Sequence, residues 1–309
     1  MNLLLIKSDA LLLLTAIIWG FAFVAQRIGM DYVGPFTFNG VRFALGSLVL
    51  LPLILRNRTI QNKSKTIPDS LDTRTIVLGG ALAGLAIFAG ASFQQVGLVY
   101  TTAGNAGFIT GLYVVIVPIL GLFWRQQPRL GTWIGAILAA VGLYFLSITE
   151  SFTISYGDFL ELIGAFFWAG HVLILGWLSP KIDSLKLAFL QYAVCSILSL
   201  ITAFLWEVIT FSGILQAAVP IFYGGVCSVG IAYTLQVVAQ RHAHPAHAAI
   251  LLSLEAVFAA FGGWLILGET MTARGLLGCT LMLSGMVLSQ LWGIFSQYPV
   301  VKAVTADRS

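Results

Sequence analysis

The sequence predicts an all-α integral membrane protein, with ten transmembrane helices arranged as two inverted five-helix repeats. Three observations carry this expectation: an apolar composition, ten long apolar runs, and residues that recur between the two halves. Of 309 residues, 59% are hydrophobic and only 9% charged, against roughly 25% charged in soluble domains. Mean hydropathy is +0.95. A chain so poor in polar groups cannot cover a water-facing surface, and lipid is the solvent that suits it.

A membrane-spanning helix needs about 20 mostly apolar residues. Ten runs meet that need: 10–28, 36–55, 76–97, 103–124, 131–148, 157–178, 184–206, 217–239, 245–267 and 273–294. They are continuous and lack the period-2 alternation of barrel strands, so helices are expected. Connections such as Leu98 to Thr102 are too short for separate structure, and the longest polar stretch is the linker from Arg56 to Arg74. Gly79, Gly80, Gly84, Gly107, Gly111, Gly131 and Gly135 recur at small-xxx-small spacing, which lets helix backbones approach closely in lipid. The first run has a basic lead, Lys7, like a signal peptide. No convincing small-x-small cleavage site follows it, so it is expected to stay.

Lysine and arginine set the orientation. With the loops numbered from the N-terminus, 13 of the 16 basic residues fall on the side of the termini. Arg27 and Arg274 fall on the other side, and Arg42 lies inside a span. The positive-inside rule then places both termini in the cytoplasm of a cell (inner) membrane. The basic residues sit in short loops between apolar runs, so the net charge of +4 does not point to nucleic acid. Cys195, Cys227 and Cys279 are isolated within apolar stretches and read as small buried hydrophobes.

The halves align with each other. At an offset of 149 residues Trp19-Gly20 falls on Trp168-Ala169 and Arg42 on Gln191. At 142, Gln94 falls on Gln236, Asn105 on His247 and Tyr113 on Glu255; one further residue brings Gly142 onto Gly285. The expected organisation is repeat 1 over 8–148, an extracytoplasmic linker over 149–156, repeat 2 over 157–294 and a cytoplasmic tail over 295–309. Because five is odd, the second copy enters the membrane from the opposite side. Inverted repeats are common in secondary transporters, where the two near-equivalent halves exchange conformations to open one face at a time.

The run Ala16-Ile17-Ile18-Trp19-Gly20, then Pro35 and Val41-Arg42-Phe43, resembles the opening of the EamA-type drug/metabolite transporter superfamily. So do Ile109-Thr110-Gly111-Leu112 leading to Pro118, Trp168-Ala169-Gly170-His171, Leu254-Glu255-Ala256 and Leu267-Gly268-Glu269, with Gly278 and Gly285 beyond. The likeness covers nearly the whole chain and lies in the ordered set rather than in one motif. It departs at Arg125-Gln126-Gln127-Pro128, where Gly-Glu is frequent, and at Ala256, where Pro is common. The resemblance implies ten helices, inward termini and export of small metabolites. It also implies a central cavity lined mainly by helices 1–4 and 6–9, with helices 5 and 10 peripheral.

An ionisable group at a helix centre in lipid costs about 2.5–3.5 kcal/mol on insertion scales, so it tends to face a cavity or a partner. Glu255 lies ten residues into the ninth run, about 15 Å along the axis and near the midplane. Its carboxyl is read either as a proton carrier or cation-binding group, or as a protonated structural acid bonded to a neighbouring helix. Arg42 lies about 10 Å deep, with three readings: an ion pair with Glu255, a bidentate holder of a substrate carboxylate, or an anchor snorkelling to the interface. Trp19 and Trp168 occupy matching mid-membrane positions and serve cavity lining or packing. His171, one turn past Trp168, lines the same cavity or is a satisfied core histidine. Tyr113 is the repeat partner of Glu255. Gln94, Gln95, Gln191, Gln236 and Asn105 are expected to bond across helices, with Gln94 and Gln236 at the two mouths. His242, His244 and His247 lack standard ligand spacing and a neighbouring carboxylate or Cys, so they read as a polar helix start. Glu269 reads as a solvated loop or helix-start acid.

The leading expectation is a secondary transporter, an exporter of amino acids, their analogues or drug-like metabolites. Proton coupling rests on Glu255, and an uncoupled facilitator is the alternative within transport. No G-x-x-x-x-G-K-[ST] loop occurs, so ATP is not the direct drive. H-E-x-x-H and G-x-S-x-G are absent, which weighs against an intramembrane enzyme. A multi-pass sensor is the third class, against which stands the lack of a sizeable output segment. No cofactor or metal is expected, the partners are a small-molecule substrate and the lipid bilayer, and homodimer formation is left open.

Overall fold

The computed structural model describes residues 3–61, 72–124, 130–147, 154–243 and 245–295. Within them lie ten apolar helices: α1 Leu3–Gly29, α2 Pro35–Gln61, α3 Thr73–Gly97, α4 Ala103–Gly121, α5 Leu130–Ser147, α6 Tyr156–Leu178, α7 Ser184–Trp206, α8 Ala218–Ala239, α9 Pro245–Leu267 and α10 Ala273–Phe295. Eight have the length and hydropathy to cross a membrane on those measures alone, and the apolar parts of α5 and α10 are shorter. The expected loop basics at Lys63, Lys65, Arg125 and Arg129, the histidine at 244 and the tail beyond 295 lie outside the described residues.

The helix ends differ from the apolar runs. α1 starts at Leu3 rather than residue 10, and α2 continues through Arg56 to Gln61. A helix satisfies its own backbone hydrogen bonds and needs no apolar side chains to persist past the hydrocarbon boundary. α3 begins where Asp72 accepts hydrogen bonds from the backbone N–H and hydroxyl of Thr75.

Helix contacts repeat about a pseudo-twofold relation. Repeat-equivalent helices meet directly: α2 with α7, α4 with α9 and α5 with α10. The remaining contacts come in matched pairs, with α3 against α6 answered by α8 against α1, and α3 against α7 by α8 against α2. At the α5–α10 interface a Cβ on Gly142 would lie 2.6 Å from the Gly278 carbonyl, and one on Gly285 2.5 Å from the Gly135 carbonyl. The two helices touch backbone to backbone, and only glycine permits it. Outward-facing Leu48, Leu78, Leu82, Ile137, Ile197 and Leu276 are each about half exposed, as a lipid-facing surface requires.

Four breaks in regularity shape the interior. α4 tightens at Gly111–Leu112, just before Tyr113, where Leu112 donates to the Ile109 carbonyl three residues back. α9 tightens in the same way at Leu254, just before Glu255. The two breaks are repeat-equivalent. α8 is π-helical from Tyr223 to Tyr233, and α9 ends in a π-turn at Gly263–Leu267 closed by Gly268 at φ 66°, a left-handed conformation that favours glycine. Discontinuous helices and π-bulges recur where membrane proteins bind solutes.

Two carboxylates tie the halves together on the face where α5 ends and α6 begins, the linker face. Glu207, after α7, accepts from the Phe36 and Thr37 N–H groups at 2.8 and 2.7 Å and from the Thr37 hydroxyl at 2.7 Å. Glu269, after α9, accepts from the Ala103 and Gly104 N–H groups at 2.8 and 3.0 Å. Each carboxylate from the second half thus sits on a helix N-terminus of the first, satisfying orphan donors and meeting the positive end of the dipole. Glu269 is a helix-start acid for α4 rather than for its own helix. We expect Glu207→Gln and Glu269→Gln each to cost about 1 kcal/mol. Thermal-shift assays should register a fall in Tm of roughly 2 °C for each and about twice that for the pair; an unchanged Tm in the double variant would show that the contacts hold nothing.

Candidate functional site

At mid-depth, seven helices from both halves close around one cavity. α1 supplies Trp19, Ala22, Phe23 and Gln26; α2 Arg42; α3 Gln94; α4 Thr110 and Tyr113. From the second half come Trp168, His171 and Val172 of α6, Ser228, Tyr233 and Gln236 of α8, and Leu252 and Glu255 of α9. Among the described residues α5 and α10 supply no lining residue. α7 stands behind the wall, where Gln191 Oε1 accepts from His171 Nε2 at 3.0 Å and Tyr192 Oη lies 3.1 Å from Thr234 Oγ1. All six residues singled out from the sequence, Trp19, Arg42, Tyr113, Trp168, His171 and Glu255, border this one space.

Its free volume is ≈ 30 Å³, room for a water or two. On the linker face the carboxylate contacts of Glu207 and Glu269 hold the halves together. On the N-terminal face His247 Nε2 meets Asp9 Oδ1 at 2.8 Å, joining α9 to α1. The sequence reading placed no carboxylate near the histidines; folding brings Asp9 there from 238 residues away. Among the described residues no group of His, Cys, Asp or Glu suits a metal.

Arg42 does not snorkel. It is 1% exposed, its Nε donates to Asn39 Oδ1 at 3.0 Å, and its guanidinium lies 5.6 and 5.0 Å from the Phe38 and Phe43 ring centres. Asn39 is itself fixed by donating to the Ala91 carbonyl at 2.9 Å. The expected Arg42–Glu255 ion pair is also not formed among the described residues, because Asn39 and the two rings hold the guanidinium on the α2 side. Arg42 Nη2 is buried with no hydrogen-bond partner. Leaving such a donor unpaired costs about 1–3 kcal/mol or more.

Glu255 is 3% exposed. The Tyr113 hydroxyl stands beside its carboxyl yet makes no hydrogen bond of ordinary geometry. The tightened turns of α4 and α9 aim these repeat-equivalent residues at one another across the α4–α9 contact.

Tyr233 is the hub of the aromatic wall, a residue the sequence reading missed. Its ring centre lies 4.4 Å from Trp19, 6.0 Å from Trp168, 6.0 Å from Phe43 and 6.3 Å from His171. Gln26, also missed, begins a relay: Gln94 Nε2 donates to Gln26 Oε1 at 2.9 Å, and Trp168 Nε1 donates to Gln94 Oε1 at 2.9 Å. Gln94 and Gln236 therefore line the cavity rather than its two mouths. The signal for Tyr233 and Gln26 was weak, since one tyrosine and one glutamine in apolar helices look like ordinary packing groups.

Ten apolar helices, matched pairing of the two halves and a polar cavity shared by both are the features of a membrane transporter. The family model described as the EamA-like transporter family matches residues 6–148 and 155–291. A protein of Archaeoglobus fulgidus described as an uncharacterized transporter is 34% identical over 92% of this chain and 86% of its own length. The uncharacterized transporter YoaV of Bacillus subtilis is 21% identical over 88% of this chain and 93% of its own. A solved crystal structure superposes with TM-score 0.65 at 16% identity, over 94% of this chain and 99% of the other, a likeness of fold. The chain belongs to the EamA-like transporter family, part of the drug/metabolite transporter superfamily.

Proposed function

We propose that this transporter exports small metabolites carrying a carboxylate, amino acids and their analogues foremost, in exchange for protons. The observation that carries the reading is the pairing, in one cavity walled by both halves, of a fixed guanidinium with a vacant donor and a carboxyl free of any cationic partner among the described residues. Arg42 Nη2 awaits an acceptor, and a substrate carboxylate supplies it. Glu255 carries the proton, because a bare carboxylate in this dry setting is costly and uptake of a proton removes the cost. The aromatic wall of Trp19, Trp168 and Tyr233 receives the apolar part of the substrate.

The bias of Lys and Arg supports placing the N-terminal face in the cytoplasm and the linker face outside. With both faces drawn together and space for only a water or two, the conformation suits an occluded intermediate. A metabolite enters when one face parts. Coupling separates this reading from an uncoupled facilitator. Proteoliposomes loaded with a labelled panel of amino acids and small metabolites should lose label against its gradient when the outside is acidified. Label that only equilibrates would favour the facilitator.

A further inference from the structure

A second pocket of ≈ 690 Å³ opens on the linker face, and Thr101 and Asp158 are in its wall. Asp158 is 1% exposed and accepts a hydrogen bond from the Thr101 hydroxyl at 2.5 Å. One turn deeper on α6 comes Glu161, three residues on and thus on the same helix face. Glu161 is fully buried, and its Oε1 has no hydrogen-bond partner. Its Oε2 accepts from the Thr110 hydroxyl at 3.1 Å, and Thr110 belongs to the wall of the central cavity.

We propose that Asp158, Glu161 and Thr110 form a proton path from the linker-face pocket to Glu255, an inference that rests on Glu255 being the proton carrier. Neither Asp158 nor Glu161 lines the central cavity, and the first-turn position that suits Asp158 does not account for Glu161, whose Oε1 is buried without a partner. Both Asp158 and Glu255 lie within electrostatic reach of the Glu161 carboxyl. Among the described residues, the groups that α3 and α4 turn toward it are uncharged. α3 brings Gly97, where a Cβ would sit 2.9 Å from Oε1, and α4 brings Thr110. Among the described residues, the pocket's other charges are engaged: Arg27 with Asp31 at 3.1 Å and Glu269 on the α4 N-terminus.

Only O–H bonds form and break along this path. Asp158 takes a proton from pocket water and passes it to Glu161. The Thr110 hydroxyl, which donates to Glu161 at rest, first turns its hydrogen toward the cavity; Glu161 then gives its proton to the Thr110 oxygen while the hydroxyl's own proton leaves toward the cavity. Thr110 and Glu255 both border the central space, which has room for a water. Glu255 gains one proton, and the Thr110 hydroxyl is left donating to Glu161 again, as at rest.

Infrared difference spectroscopy on the full chain, in uniformly oriented liposomes, reads carboxyl protonation after an acid jump on the linker face and needs no substrate. The band removed by Glu255→Gln identifies Glu255. We expect Glu161→Gln to slow the appearance of that band roughly tenfold, Asp158→Asn to slow it in the same direction, and Glu161→Asp to recover much of the rate. A band that rises at the wild-type rate in both Glu161→Gln and Asp158→Asn overturns the path. Equal-pH exchange of labelled amino acids reports separately on the transport reading. Exchange with an unslowed band refutes the path alone, whereas a slowed band without exchange upholds the path and refutes the substrate assignment.

Discussion

Glu255→Gln should abolish the response of transport to a pH gradient. Glutamine matches the shape and hydrogen-bonding capacity of a protonated glutamate but has no proton to release. The site is thereby held in its loaded form, and gradient-driven flux is expected to fall roughly tenfold or more. The expected sign follows from exchange: protons run inward as substrate runs outward, so outside acid speeds wild-type export and leaves the variant unmoved. Folding should survive, because Glu255 makes no ion pair among the described residues and the variant loses no charge partner. Efflux measured at two outside pH values checks both points. A variant that keeps its acid stimulation would return Glu255 to a structural role beside Tyr113.

Arg42→Lys should weaken substrate binding by tenfold to a hundredfold, about 1.5–3 kcal/mol for a lost hydrogen bond to a charged group. Lysine keeps the charge, but its ammonium lacks the planar fork that bonds Asn39 with one nitrogen and offers another to the cavity. It also loses the guanidinium contact with Phe38 and Phe43. If Arg42 only filled space, its replacement by lysine would lower Tm while leaving half-saturation unchanged. Half-saturation of exchange, measured beside Tm, distinguishes the two.

Much of this architecture was legible in the chain because lipid demands it. Each span must be apolar for about 20 residues, so a polar or charged group inside one stands out. Arg42, His171 and Glu255 stood out for that reason, and the repeat offset marked Tyr113 as the partner of Glu255 before any contact was known. What escaped is what depends on which helix meets which. Tyr233 and Gln26 carry no charge, so only the packing of α1, α6 and α8 reveals that they sit at the centre. Asp158 and Glu161 stand at the start of a span, where acids are ordinary, and their burial comes from α3 and α4 closing over them. Glu207 and Glu269 belong to loops, and the helix N-termini they bind lie 171 and 166 residues away. The tightened turn at Leu254 has no Gly or Pro to announce it, unlike its counterpart beside Gly111. The Arg42–Glu255 pair failed as an expectation because depth along the membrane does not say which way a side chain points.

The most direct measurement is counterflow in proteoliposomes at equal pH, with a mixed labelled panel of amino acids and other small metabolites. A carrier whose single cavity is offered to each face in turn exchanges outside label for unlabelled substrate inside, and carboxylate-bearing compounds should dominate what is taken up. Exchange confined to compounds without a carboxylate, or no exchange by a protein whose Tm shows it folded, would contradict the account.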